Sequence, residues 1–172
     1  MTDITAAKKE VSEVYKSLSP IVKDIVGKHS KELDNIINKI KKNMTTLTNK
    51  ELQDYMMQLS IETYEFAQSK DMSILMQECA IAVSKDRQAN IFNSAEGTQA
   101  VRLNTAQIES VDSQVVVALQ NAVANCMKSK LDEAHRVINI LSNVLISKNA
   151  ENKLKVVNNS ELEAITSEDG QN

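Results

Sequence analysis

The sequence predicts an all-α protein built around a long antiparallel helical hairpin. Three observations carry this reading. The 172 residues include 3 Gly and 1 Pro. Aromatic residues make up 3% of the chain, with no Trp. Apolar residues recur at helical spacing over two stretches of about 45 and 50 residues. Gly and Pro set turns, while β-branched and aromatic residues fill strands. A chain with almost no turn punctuation, and few aromatics, cannot make the many short strands and tight turns of a sandwich, a barrel or a doubly wound sheet. Its length fits one domain, or one domain plus tails.

The elements follow in order. Ala7, Val11, Val14 and Leu18 predict a first helix over Thr5 to Leu18. Ser19-Pro20 reads as a cap followed by a first helical position, so a second helix is expected from Pro20 to about Met44. Its apolar stripe runs through Val22, Ile25, Val26, Leu33, Ile37 and Ile40. Gly27 weakens that helix by roughly 1 kcal/mol relative to Ala. Thr48-Asn49-Lys50-Glu51 is a capping-box pattern. The helix it opens meets no Gly or Pro until Gly97, and Leu52, Met56, Leu59, Thr63 and Phe66 form its stripe. Leu75, Met76, Cys79, Val83 and Phe92 continue that stripe, and the polar stretch Gln68 to Met72 is where a break would fall.

Gly97 suits a left-handed helix-ending position, and Thr98 can cap the next helix. That helix is expected to run to about Lys148 with a period close to the coiled-coil value. The organisation is then a two-helix arm over residues 1–46, a hairpin over 47–148 with its tip near Gly97, and a flexible, mostly disordered acidic tail over 149–172. A two-helix hairpin buries one seam and leaves apolar residues such as Val115 and Val116 facing elsewhere. Homo-oligomerisation is therefore expected, with a monomeric four-helix bundle as the alternative.

The same composition narrows function. No clustered Gly is present to cradle phosphates, and aromatic pocket walls are scarce, so the chain reads as a non-enzyme without cofactor. No stretch of about 18 apolar residues predicts a membrane span, and Met1 to Glu10 lacks a signal-type apolar core. The compartment expected is cytoplasmic (the host cytoplasm if phage-encoded), with Cys79 and Cys126 as free, packed thiols. In the hairpin register Cys79 faces the region of Gln114, too far from Cys126 for a disulfide. His29 and His135 lack partners at ligand spacing, so no metal site is expected. Glu62 and Glu65, at i and i+3, read as a solvated pair rather than a catalytic one.

Net charge is -3 but unevenly spread, being +4 over residues 1–50 and -5 over 51–110. Any nucleic-acid site must therefore be a local patch. The best candidate lies beside the tip. Lys85 and Arg87 precede the turn, Arg102 follows it, and Asn90, Asn93, Gln99 and Asn104 surround them. Cations with amide donors suit phosphate contacts. Lys39, Lys41 and Lys42 form a secondary basic surface, although lysines near a helix C-terminus also complement the macrodipole.

These residues resemble a family. Val83-Ser84-Lys85-Asp86-Arg87, then Ile91-Phe92-Asn93-Ser94-Ala95-Glu96-Gly97-Thr98, with Arg102 and Ala106 after it, are similar to phage recombination mediators of the UvsY type. The resemblance spans roughly residues 47–148 and leaves 1–46 without a counterpart, as an oligomerisation or partner-binding arm. It implies single-stranded DNA binding by the Lys-x-Arg element, here Lys85 and Arg87. It further implies assembly into a ring and the loading of a RecA-like recombinase onto strands covered by single-strand-binding protein. Where the family carries a double aromatic before the turn, this chain has Ile91-Phe92. The competing reading is a helical structural, scaffold or adaptor protein, of phage assembly or partner binding, that does not bind DNA.

Overall fold

A computed structural model describes the backbone over residues 4–168 and the side chains over 12–155. Four helices follow one another: α1 (Ile4–Asn43), α2 (Asn49–Ser94), α3 (Gln99–Glu109) and α4 (Val111–Glu168). No strand occurs among the described residues.

α1 is one helix of 40 residues with Pro20 inside it, where two helices separated at Ser19-Pro20 are expected from the sequence. Pro20 has no N–H to donate to the Lys16 carbonyl, a loss that breaks buried helices. Residues 12–17 are all exposed, so water can take the orphaned carbonyl and the helix continues. α2 begins as its sequence predicts. The Glu51 amide donates to Thr48 Oγ1 at 3.2 Å, and the Thr48 amide donates to the Glu51 carboxylate at 2.7 Å. The Thr48 amide, and with it the Thr48 hydroxyl donating to the same carboxylate at 2.7 Å, hold the Glu51 carboxyl below the usual carboxylate range. The helix passes through Gln68 to Met72 without a break. After it, Gly97 adopts φ 106, and a Cβ there would stand 3.3 Å from Val101. Thr98 occupies the N-cap position of α3 but makes no side-chain cap bond, unlike the expectation.

The single helix expected after the turn is divided at Ser110. Ser110 Oγ donates to the Gln107 carbonyl at 3.3 Å, Ser113 Oγ donates to the Ser110 carbonyl at 2.7 Å, and Gln114 Nε2 donates to Ser110 Oγ at 3.0 Å. Side chains competing for backbone partners in this way bend helices. α4 then runs to Glu168 as helix, correcting the expectation of a mostly disordered tail over 149–172. Residues 169–172 lie outside the described residues.

Three cross-links set the pairing of α2 with α3 and α4. Arg102 meets Phe92, Ser84 Oγ lies 3.1 Å from Ser113 Oγ, and Asn49 Nδ2 donates to Asn149 Oδ1 at 2.8 Å. The partners run in opposite chain order, so the helices lie antiparallel. At the far end Lys148 Nζ donates to the Leu47 carbonyl. α1 joins only part of this pair. Ser30 Oγ donates to Asp34, Lys130 Nζ reaches the same carboxylate at 2.5 Å, and Lys41 pairs with Glu133 at 2.8 Å.

The core is confined to the three-helix region. Leu33 and Ile40 of α1, Leu52 and Leu59 of α2, and Met127 and Leu141 of α4 are almost wholly buried. Past Ser73 on α2, and before Leu119 on the return, the predicted apolar stripes are uncovered. Leu75, Met76, Val83, Val111, Val115 and Val116 are exposed. Only Ala106, Ser110 and Ser113 are buried in this distal arm, because no third helix lies against it. Cys79 and Cys126 are free, as the register requires, but both are exposed rather than packed.

Candidate nucleic-acid interface

Lys85 and Arg87 stand on α2 about two and a half to three turns beyond Met76, which lines a recess shared with α1, and both are exposed. Neither makes an ion pair or side-chain hydrogen bond among the described residues. The acid between them is otherwise engaged, since Asn90 Nδ2 donates to Asp86 at 3.1 Å. Two residues on a helix are separated by about 200°, so Lys85 and Arg87 leave opposite flanks of α2. Ser84, which faces α4, lies between the two flanks.

Arg102 behaves differently. It is half-buried, its Nε donates to the Phe92 carbonyl at 2.9 Å, and its guanidinium sits 4.4 Å from the Phe92 ring centroid. It closes the tip by satisfying a carbonyl at the end of α2 and stacking on that helix's last aromatic ring. Phe92 is seven residues from Lys85 and so shares its flank. Lys85, Phe92 and Arg102 therefore form one flank of the arm, and Arg87 stands alone on the other. Arg102 is level with Phe92 and not with Arg87, an offset of about 7 Å along the axis. Composition offered no signal for the Arg102–Phe92 stack; it arises because the turn at Gly97 brings these two positions together.

Arg102→Ala is expected to lower the thermal midpoint, because one charge-assisted hydrogen bond and one cation–π contact are lost, together about 2 kcal/mol. Arg102→Lys should not restore it, since a point-like ammonium cannot stack and donate in the same plane. Scanning calorimetry of both variants checks this.

The secondary basic surface is divided as well. Lys41 is held by Glu133 of α4, while Lys39 and Lys42 are exposed. Lys41 and Lys42 both sit in the last turn of α1, where cations complement the helix dipole. His29 and His135 are exposed, and no group of three or more His, Cys, Asp or Glu is arranged for a metal among the described residues. No described helix is long and apolar enough to cross a membrane.

Glu62 is half-buried beside Glu65 and faces Glu32 of α1. Burial and then the two neighbouring carboxylates push its carboxyl above the usual value. An acid raised in this way is charged at a cost at neutral pH, and the cost vanishes as pH falls through its folded value. Glu62→Gln is therefore expected to raise the thermal midpoint at pH 7, with the gain closing as the solution is acidified below the carboxylate range. Melting curves across that range read it directly.

No family model, curated protein or solved structure matches this chain.

Proposed function

We propose that this chain is a non-enzymatic, homo-oligomeric protein that binds single-stranded DNA through cations beside the hairpin tip. The observation that carries the proposal is the state of Lys85 and Arg87. Both are exposed, both lack an acidic partner among the described residues, and both project from one rigid helix. Because they leave opposite flanks, one subunit presents two separate phosphate contacts. A strand crossing several subunits would meet a Lys85 flank and an Arg87 flank in alternation. Phe92, stacked under Arg102, offers one aromatic ring on the Lys85 flank. Base stacking is therefore a minor contributor, and phosphate attraction the main one.

The wider role proposed is that of a recombination mediator, which hands such a strand to a RecA-like recombinase in the presence of single-strand-binding protein. That role rests on the resemblance of the segment around Lys85, Arg87 and Gly97 to the UvsY-type family. The test is the solution mass with and without an oligonucleotide, at two salt concentrations. An oligomer that gains the oligonucleotide's mass at low salt and releases it at high salt supports the reading. A chain that ignores the oligonucleotide at low salt overturns it.

A second reading, a structural or adaptor protein, is favoured by the Arg102 geometry. One of the three proposed contact residues is engaged within its own chain. That reading expects self-association and no oligonucleotide uptake in the same experiment.

A further inference from the structure

Two apolar surfaces of this chain stand uncovered, and they match each other in length. The first is a flank of the distal arm. At the point where α1 leaves the bundle there is a recess of about 420 Å³, lined among others by Ile25 and His29 of α1, Met76 of α2 and Val123 of α4. Ser73 Oγ, at the same recess, is buried without a hydrogen-bond partner. Two helical turns toward the tip, the same faces carry Val83 after Met76 and Val116 before Val123. Val83 is 64% exposed and Val116 48% exposed. The groove that α1 covers at one end is thus open at the other.

The second surface is the amino-terminal half of α1. Among the described side chains its buried residues begin at Val22, while Val14 is 48% and Ile21 45% exposed. Leu18, two turns before Ile25 on the face that lines the recess, is half-buried. Among the described residues α1 makes no contact with α3, and Val83 and Val116 stay exposed, so the described part of this half does not cover that stretch of its own arm. Residues 4–21 extend for about 27 Å, close to the length of α2 between Met72 and Asn90. Charge does not oppose the pairing: residues 4–21 carry a net +1 and residues 72–90 a net 0.

Area sets the scale. A compact monomer of 19.1 kDa exposes roughly 8,400 Å². This chain exposes 12479 Å². The difference far exceeds the roughly 800 Å² that each partner contributes to a standard stable interface.

We infer that the occupant of the open groove is the amino-terminal half of α1 from a second copy of this chain. The exchange is reciprocal, so each copy's Val14, Leu18 and Ile21 cover the other's Val83 and Val116. Such a two-fold contact is self-complementary. It leaves Lys85 clear on the opposite flank of α2, while Arg87, one turn from Val83 on the same flank, stands beside the covered surface. The inference rests on the self-association in that proposal and names the segments that make it.

The test uses full-length chains with Cys79→Ser and Cys126→Ser. One chain carries Val14→Cys and a mass tag; the other carries Val83→Cys or, in a second pairing, Val116→Cys. On mild oxidation of the mixture, a disulfide between tagged and untagged chains is expected to dominate over like pairs. In a doubly substituted single chain the link should again fall between copies. Leu18→Glu with Ile21→Glu should shift the solution mass to that of the monomer, with helical circular dichroism retained. Links confined within one chain would show α1 folding onto its own arm and overturn the inference. An oligomer without mixed links, or one unaffected by the double Glu variant, overturns it while leaving self-association intact. A wild-type monomer overturns both.

Discussion

Replacing Lys85 and Arg87 together by alanine is expected to weaken single-stranded DNA binding by about 25-fold per subunit engaged at 0.1 M salt. The figure follows from counterion release. Each phosphate contact to a single strand contributes about 0.7 to the slope of log affinity against log salt. Two contacts, extrapolated over one decade of salt, give about 1.4 log units. The same variant should therefore flatten the salt slope by about 1.4, and this second readout separates lost phosphate contacts from lost folding. Fluorescence anisotropy of a labelled oligonucleotide across a salt series measures both. Unchanged affinity and slope would place the DNA contact elsewhere or remove it. Both residues are exposed and unpaired among the described residues, so stability should move by no more than about 0.5 kcal/mol. Lys39→Ala with Lys42→Ala is the matching control for the secondary basic surface. Lys41 is left in place there because its bond to Glu133 joins α1 to α4.

Leu59→Ala should have the largest effect on stability. Leu59 is fully buried where α2 packs with α1 and α4. Truncating such a side chain removes its transfer energy and leaves a cavity, about 3–5 kcal/mol in total. For a chain of this size that corresponds to a fall in thermal midpoint of roughly 10 °C. Leu75→Ala, on the same helix, should cost less than about 0.5 kcal/mol, because Leu75 is 51% exposed. The pair tests the division of α2 into a packed proximal half and an uncovered distal half. Equal losses at both positions would mean that the distal arm is buried in solution on the Leu75 face as well.

The local chemistry of most helix ends was legible in the sequence. Thr48 and Glu51 form the capping box that their spacing announces, and Gly97 takes the positive φ that its isolation between two long periodic stretches suggests. Both are decided within a few residues, so neighbours in sequence suffice to read them. Pro20 misled for the same reason. Locally it is a good first helical residue, but an exposed helix tolerates the missing hydrogen bond, and α1 runs through it. The break at Ser110 was hidden because it depends on where the hydroxyls of Ser110 and Ser113 point once Ser113 faces Ser84 across the pair.

The candidate site was legible as a set of residues but not as a shape. Lys85, Arg87 and Arg102 cluster around the turn in sequence, yet only Lys85 and Arg102 share a flank, and Arg102 is bound to Phe92. Helical rotation separates Lys85 from Arg87, and the tertiary register of the turn determines which ring Arg102 meets.

Helical class, the start of α2 and the turn at Gly97 thus come from composition, periodicity and capping, which act over one or two turns of chain. Whether a stripe is core or surface does not. Met76 and Val83 obey the same periodicity as Leu52 and Leu59, but only the latter two find α1 and α4 against them. Burial needs a third surface, and where α1 lies along the pair is settled by long-range contacts such as Asp34 with Lys130 and Lys41 with Glu133.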